Sequence, residues 1–452
     1  MKKIFQYIML AVVTIVMASC TSDIEEPTAT TGKSNVQLVV GEFPAFGDSQ
    51  TRAIGTPDPG KTSWAEGDEL LLEMTSKTFG TKYAAFTYNG SSWELTSGEL
   101  SYKEDEVPTF PHVYYAPNYK WEAGTLVLKE GKVAGTDEYI EGKANITPNG
   151  QAITVEFSKA TRNYSRLRIA TMPNKPITVT IDRYTPAGSS DMKWNQNYAL
   201  TSDEKGNAYL YGTFENNSEV TVKYRGATLK TYKFSKETEN AKSYALDATV
   251  ISANSAEEIK SAIKQEVANS KTAIILNLAS DAGDNEFKTI REAFKNVQDA
   301  TIDLTLIGCK EIPADGLKEL NALKSIFLPD VTKIGMNALS RCVYLEEICA
   351  PNVSTIDERA FAGFIMLEKV TLGELTDVRG EANSGGGIFD DDNWTPYIDL
   401  YLPKNQEVMK GEFDENSNQY IWKPTGEKYF ASLDSDNGIF LGYQFNSVKS
   451  WE

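Results

Sequence analysis

A repeat of apolar residues with a period of 22, which runs from Leu323 to Val378, constrains this chain more than any other feature. The leucines Leu323, Leu345 and Leu367 stand one period apart. Three more columns repeat at the same spacing: Ile326, Ile348 and Val370; Val331, Val353 and Leu375; Ile334, Ile356 and Val378. A fixed period of this length indicates stacked units, each of which can bury its apolar side only against its neighbours. We therefore predict a solenoid.

The repeat extends in both directions along the chain. Apolar residues fall in matching columns back to residues 274–278 and forward to residues 398–402. An insertion rich in Gly and Asp precedes this last copy. The columns predict six short parallel strands, at about 274–278, 302–306, 324–328, 346–350, 368–372 and 398–402.

Two helices are predicted at the N-terminal side of the repeat. Ser255 and Glu258 form a capping box ahead of apolar residues at four-residue spacing, so a helix should cover 256–269 and close the open end of the stack. The second helix should cover about 286–297. After the last repeat we predict a C-terminal cap with strands at about 420–422, 428–430 and 439–443, the last two joined by a hairpin turn at Asn437-Gly438.

Two copies of the repeat carry a recognisable motif. Residues 328–335 read LPDVTKIG and are followed by Ala338, while 351–356 read PNVSTI and are followed by Ala360 and Phe361. This pattern resembles the BspA-type leucine-rich repeat of bacterial surface proteins. The resemblance implies an α/β leucine-rich-repeat solenoid, whose parallel strands line one broad face.

Alternation along the predicted strands places one set of side chains on the outward face of the stack. The set comprises Ser325, Phe327, Glu347, Cys349, Lys369, Thr371, Asp399 and Tyr401. It lacks the ladder of aromatic rings on which a glycan would stack, and it lacks a basic stripe. We predict that this face binds a protein ligand. The alternative is that these side chains only solvate the surface.

The N-terminus has the organisation of a secretory signal. Lys2 and Lys3 precede an apolar run over 4–16, which is too short to span a bilayer, and small residues come before Cys20. The segment resembles a bacterial lipobox, which implies that Cys20 carries a lipid anchor; an ordinary signal with a chance cysteine is the alternative. The acidic run after Cys20 resembles the export tag of Bacteroidetes lipoproteins. That resemblance implies an outer-membrane protein exposed at the cell surface.

Residues 35–250 are predicted to be all-β. Short alternating runs with turns between them indicate two sandwiches in tandem, split near residues 145–160. Trp64, Gly67 and Asp68 indicate a tight turn before a strand, because Gly allows a positive φ and Asp accepts backbone N–H groups. This motif resembles the fimbrillin-like domains of Bacteroidetes lipoproteins.

The fimbrillin resemblance also implies a processing site. In pilus-forming members of that family, an arginine near the position of Arg52 is cut by a trypsin-like protease, and subunits then assemble by adding a strand to a sheet edge. This makes a fimbrial accessory, tip or anchor subunit the alternative function. The chain also carries a separate repeat domain, which a polymerising shaft subunit would not need. This domain therefore argues against a shaft role.

Composition and motifs argue against several function classes. The net charge of −18 disfavours nucleic-acid binding. We predict no enzyme, since the single histidine, His112, lies in a strand-like run and no nucleophile–base pair is evident. Asp390 to Asp392 could bind calcium through oxygen ligands, but their spacing matches no known loop, so we predict no metal and no cofactor. Cys309 and Cys342 are expected in the core, and no disulfide is expected.

These inferences combine into one multidomain prediction. A signal peptide over 1–19 and a tether over 20–34 precede the fimbrillin-like double sandwich at 35–250, the capping helix and solenoid at 252–405, and the cap at 406–452. The protein is predicted to be a monomeric surface lipoprotein with an adhesion or protein-binding role. Its contact with the membrane would be made through the N-terminal lipid.

Overall fold

The computed structural model describes residues 37–46, 60–103, 106–147, 152–158, 162–382, 384–390 and 395–451. Cys20, Arg52 and the predicted signal and tether segments lie outside these residues. The described chain is predominantly β and forms several sheets, with few helices. This confirms the predicted β-rich, multidomain-like architecture.

One seven-stranded sheet is built from the N-terminal part of the described chain. Its seven strands are β1 (Gln37–Val40), β2 (Glu69–Ser76), β3 (Gly80–Tyr88), β4 (Trp93–Gly98), β5 (Thr109–Tyr115), β8 (Ile140–Ile146) and β9 (Ala152–Phe157). Between β5 and β8, the strands β6 (Tyr119–Glu122) and β7 (Thr125–Leu128) form a separate hairpin. The strand order is β1-β9-β8-β5-β2-β3-β4. β1 pairs in parallel with β9, whereas the other neighbours are antiparallel.

The predicted turn at Trp64 is confirmed. Gly67 has φ 89°, and the Asp68 carboxylate accepts the backbone N–H of Ala65 at 2.7 Å. The indole N–H of Trp64 donates to the carbonyl of Gly41 at 2.7 Å. The turn therefore fixes the chain that leaves β1 against the start of β2.

A second seven-stranded arrangement follows. Its strands are β10 (Ser165–Ala170), β11 (Pro176–Pro186), β12 (Lys193–Thr201), β13 (Asn207–Phe214), β14 (Glu219–Tyr224), β15 (Ala227–Lys233) and β16 (Ser243–Asp247). The order is β15-β14-β11-β13-β10-β16, and β12 pairs with β11. The strands β6, β8, β12 and β15 were not among the alternating runs that indicated the sandwiches, because polar residues interrupt the apolar positions along each of them. Whether the two sheets are sandwiches that fold independently stays a prediction.

The C-terminal part of the chain contains the repeat. Its elements are β17 (Ile251–Ala253), α1 (Ala256–Ala268), β18 (Ala273–Leu278), α2 (Asp284–Phe294), β19 (Ile302–Ile307), β20 (Glu311–Ile312), β21 (Leu323–Phe327), β22 (Lys333–Ile334), β23 (Glu347–Ala350), β24 (Thr355–Ile356), β25 (Lys369–Leu372), β26 (Asp377–Arg379), a 3-10 turn (Thr395–Tyr397), β27 (Asp399–Pro403), β28 (Glu407–Asp414), β29 (Gln419–Lys428), a second 3-10 turn (Tyr429–Ala431), α3 (Leu433–Asn437), β30 (Ile439–Phe440), β31 (Tyr443–Gln444) and β32 (Ser447–Trp451). All six predicted strands are present within one residue of their predicted bounds.

These strands form an eight-stranded sheet, which we call the parallel sheet. Its order is β17-β18-β19-β21-β23-β25-β27-β32, and every neighbouring pair is parallel. Ile326, Ile348 and Val370 stand side by side at the 22-residue spacing, and each is at most 1% exposed. The column of Ile326, Ile348 and Val370 is thus on the buried side of this sheet, whereas the column of Ile334, Ile356 and Val378 lies on the short strands β22, β24 and β26.

Smaller elements enclose the same core. The short strands β20, β22, β24 and β26 pair in parallel along a second sheet, which the antiparallel pair β29 and β28 completes. Helix α1 begins as predicted, with the Ser255 side chain accepting the N–H of Glu258, and it buries Ile259 and Ile263. Helix α2 buries Phe287, Ile290 and Phe294 on one face.

The predicted hairpin at Asn437-Gly438 is wrong. Asn437 ends the short helix α3, and Gly438 caps it in the left-handed conformation with φ 69°. A Gly at this position ends a helix as readily as it turns a hairpin, so the dipeptide alone could not decide. The hairpin is formed instead by β30 and β31, and the chain then returns as β32 to extend the parallel sheet beside β27.

Candidate recognition face

The structure brings all eight predicted face residues together on the parallel sheet. Ser325, Glu347, Lys369 and Asp399 form one row across β21, β23, β25 and β27, and Phe327, Cys349, Thr371 and Tyr401 form the next. Their neighbours along each strand, such as Ile348 and Leu400, are buried. The burial along these strands agrees with the predicted inward and outward positions, with the exception of Thr371. We call these two rows the recognition face.

One member of the set is not exposed as expected. Thr371 is only 9% exposed. The indole N–H of Trp451, at the end of β32, donates to the carbonyl of Leu372 at 2.9 Å. The Trp451 side chain therefore reaches β25 from β32, past the intervening strand β27. The sequence could not place this residue, because the repeat period is lost before β32.

Charged groups in the first row are paired within the molecule. The Lys369 ammonium lies 2.7 Å from the Glu347 carboxylate, and this hydrogen bond raises the pKa of Lys369. Asp399 accepts the Ser447 hydroxyl at 2.6 Å and contacts Lys449 at 3.2 Å, and these contacts lower its pKa. The face therefore presents fixed, neutralised pairs rather than a field of one sign.

Further residues extend the rows beyond the predicted set. Ser325 donates to the carboxylate of Asp303 on β19 at 2.6 Å. Lys369 and Lys449 both lie over the ring of Tyr401, at 5.5 and 5.6 Å from its centroid. Asp303 stands one period before Ser325, so the repeat column could have identified it. Lys449 carried no such signal.

A groove of about 570 Å³ lies on the recognition face. Its lining includes Arg225, Gly226, Phe327, Cys349, Thr371 and Trp451. Arg225 and Gly226 form the turn between β14 and β15 in the sheet of β10 to β16, which we call the second β region, so this region contributes to a groove on the parallel sheet. A Cβ on Gly226 would lie 3.3 Å from the Phe327 ring, which shows how closely this turn approaches the face.

One nearly buried carboxylate holds this turn in place. Asp330, whose side chain is 3% exposed, accepts the Tyr224 hydroxyl at 2.9 Å, pairs with Arg225 at 3.1 Å and accepts the N–H of Gly308 at 2.9 Å. Burial and the nearby Asp330 raise the pKa of Tyr224 to about 12. Apolar packing of Tyr224 with Met172 and Ile307 adds to the junction.

The three described cysteines occupy two environments. Cys309 and Cys342 are buried, as predicted, and burial raises the pKa of each thiol to about 12. Cys349 is half-buried in the groove, and its pKa is raised to about 11, mainly by burial. All three are free thiols in the described chain.

Other residues singled out in the sequence lie away from the groove. His112 lies on β5, 3.5 Å from Glu141 and half exposed. Asp390 accepts the hydroxyl of Tyr443 at 2.8 Å, whereas Asp391 and Asp392 lie outside the described residues. No cluster of three acidic, His or Cys side chains that could hold a metal ion occurs in the part of the chain that the structure describes. Within that part, no helix combines the length and apolar character that a bilayer span requires.

Comparison with known proteins adds no relative: no protein-family model and no curated protein matches this chain. Rigid strands hold two rows of side chains in register, and such an array suits the recognition of an extended partner surface.

Proposed function

We propose that this protein is a cell-surface lipoprotein that binds a protein ligand through the recognition face. In this account the repeat is a leucine-rich-repeat solenoid, fimbrillin-like sandwiches hold it away from the outer membrane, and Cys20 carries the lipid. The role is binding rather than catalysis, and the protein acts as a monomer without cofactors.

The single observation that carries the proposal is the in-register double row on the parallel sheet. Eight outward side chains lie on four adjacent strands, and their backbones are fixed by parallel pairing and by a fully buried layer beneath. Preorganised side chains lose little conformational entropy when a partner binds, so such an array supports recognition. Because the charges are paired, the ligand would be selected by the pattern of pairs and rings rather than by overall charge.

A charge swap tests the proposal. Glu347→Lys combined with Lys369→Glu keeps an ion pair but inverts the pattern on the face. The matched control swaps Lys410 and Glu412, an exposed pair with the same separation of 2.7 Å on β28. Binding would be measured against a panel of purified extracellular matrix proteins. We expect the wild-type chain to bind one of these proteins saturably. The chain with Glu347 and Lys369 swapped should lose this binding, and the chain with Lys410 and Glu412 swapped should keep it. Equal binding by the two swapped chains would contradict the proposal.

A fimbrial role is the second candidate, and one observation favours it. β1 is an edge strand of four residues, which pairs with β9 alone. Phe43 and Phe46, which follow it, are buried, and Arg52 comes shortly after them in sequence. Cleavage after Arg52 would leave this segment held only by noncovalent contacts, and its departure would free the edge of β9 for a neighbour's strand.

Sheared surface material distinguishes the two roles. A fimbrial subunit would run as a ladder of linked species on an unboiled, non-reducing gel, and Arg52→Ala would remove the ladder. A binding protein would run as a monomer in both forms. A ladder that persists in Arg52→Ala would contradict processing at this residue.

A further inference from the structure

We propose that the groove on the recognition face is a composite pocket for an aromatic side chain of the protein ligand, with one side supplied by the β14–β15 turn of the second β region. This inference rests on the proposed function and names the chemistry that the face selects. It also means that the parallel sheet by itself would lack part of the site.

The geometry of the turn makes it a rigid part of the groove. Arg225 and Gly226 have φ values of 46° and 94°, both in the left-handed region. Two-residue turns of this kind match the twist of the strands they join, so the turn projects as a fixed tip. Gly226 approaches the Phe327 ring so closely that its missing side chain is what leaves room between turn and sheet.

The junction holds that tip at one position over the sheet. The buried Asp330 carboxylate receives hydrogen bonds from Tyr224 and from the Gly308 backbone and an ion pair from Arg225, so residues of both regions share one anchor. Hydrogen bonds to a buried charge are among the stronger ones in proteins. The turn therefore belongs to the groove as a structural component and is not a loop that happens to pass over it.

The lining selects a neutral, planar group. The Arg225 charge is paired with Asp330 and the Glu347 charge with Lys369, so an ionic ligand would find no uncompensated partner among these groups. Phe327 and Trp451 offer ring surfaces, and a guanidinium beside a ring adds cation–π attraction. Thr371 and Cys349 add only small, weakly polar surface. A volume of about 570 Å³ accommodates an aromatic side chain together with the backbone that presents it.

Cys349 provides a reporter inside the groove. It is the half-buried thiol among the three described cysteines, while Cys309 and Cys342 are fully buried. The chain from Thr21 onward, which omits Cys20, would be treated with iodoacetamide at alkaline pH, and labelling would be read by mass spectrometry of the peptide that contains Cys349. N-acetylphenylalanine amide is the probe and N-acetylalanine amide is its control.

The phenylalanine probe should cause a saturable loss of Cys349 labelling, and the alanine probe should cause none. For each variant, protection is measured as the loss of Cys349 labelling relative to the same variant without probe. Phe327→Leu, which keeps an apolar residue, and Arg225→Ala should both weaken this protection. Phe413→Ala, which removes a phenylalanine that is 59% exposed on β28, should leave it unchanged. Circular dichroism would verify that each variant is folded.

Two results would overturn the inference. If neither probe, or both probes equally, protected Cys349, the groove would not select aromatic groups. If Phe327→Leu weakened protection but Arg225→Ala did not, the pocket would belong to the parallel sheet alone. Neither result depends on a protein ligand, so the outcome is separable from the charge-swap test of the proposed function.

Discussion

Replacing Ile348 by alanine should destabilise the protein far more than replacing its neighbour Glu347. The Ile348 side chain is 0% exposed and is flanked on paired strands by Ile326 and Val370. The change removes three carbon atoms, which accounts for about 2.4 kcal/mol by transfer alone. The flanking strands are held by backbone pairing, so the site cannot collapse, and the total should reach the upper part of the range of about 2–5 kcal/mol.

Glu347→Ala removes a side chain from the opposite side of the same strand. In its ion pair with Lys369 the two side chains are 41% and 45% exposed, and such exposed pairs contribute about 0–1 kcal/mol. Both variants would be compared in the chain from Thr21 onward by urea unfolding. Tryptophan fluorescence would monitor the unfolding, and the midpoints and slopes of the transitions would give the free energies of unfolding. If Glu347→Ala lowered the free energy of unfolding more than Ile348→Ala, the inward and outward positions would be reversed, and the recognition face would be the core.

Three further predictions follow from other parts of the chain. Glu138→Gln should cost roughly 3–5 kcal/mol in urea unfolding, because it breaks a buried, two-bond ion pair with Arg162; a cost below 1 kcal/mol would show that the pair is dispensable. Tyr224 titrates near 10 when unfolded and at about 12 when folded, so its neutral form contributes stability below pH 10 that is lost as the pH rises to about 12. Tyr224→Phe should therefore flatten the fall of the urea midpoint across that interval, and an unchanged profile would remove Tyr224 from the alkaline transition. Cys20→Ser should abolish labelling by a radioactive fatty acid and release the protein into soluble fractions, whereas persistent labelling would exclude this residue as the anchor.

The repeat made the central sheet predictable. A 22-residue spacing specifies which residue lies beside which on neighbouring strands, and alternation within a strand then decides the side. Ile348 and Glu347 could be assigned in this way because three copies of each column were visible. Thr371 was correctly placed on its strand, but its low exposure was not foreseen, and the Trp451 side chain that reaches this strand comes from β32, which lies outside the period.

Long-range docking could not be predicted from local patterns. Nothing in the sequence near Gly226 indicates that the turn it forms meets Phe327, about a hundred residues later in the chain. Asp330 stands in the LPDVTKIG motif, and nothing in that motif indicates that its carboxylate is nearly buried at the junction. The polar strands β8 and β12 were missed because their pairing depends on the sheets that they join. Such features arise from tertiary packing, which overrides the preferences of the segment itself.

Site-directed photo-crosslinking would show whether the recognition face itself contacts a bound protein. A benzophenone side chain would replace Ser325 on the recognition face or, as a control, Trp194, which is 60% exposed on β12. We expect the Ser325 position to cross-link to the matrix protein that the chain binds and the Trp194 position to give no cross-link. Unlabelled wild-type chain should compete, whereas the chain with the Glu347 and Lys369 charges swapped should fail to compete. Equal cross-linking from both positions, or equal competition by the swapped chain, would contradict a recognition role for this face.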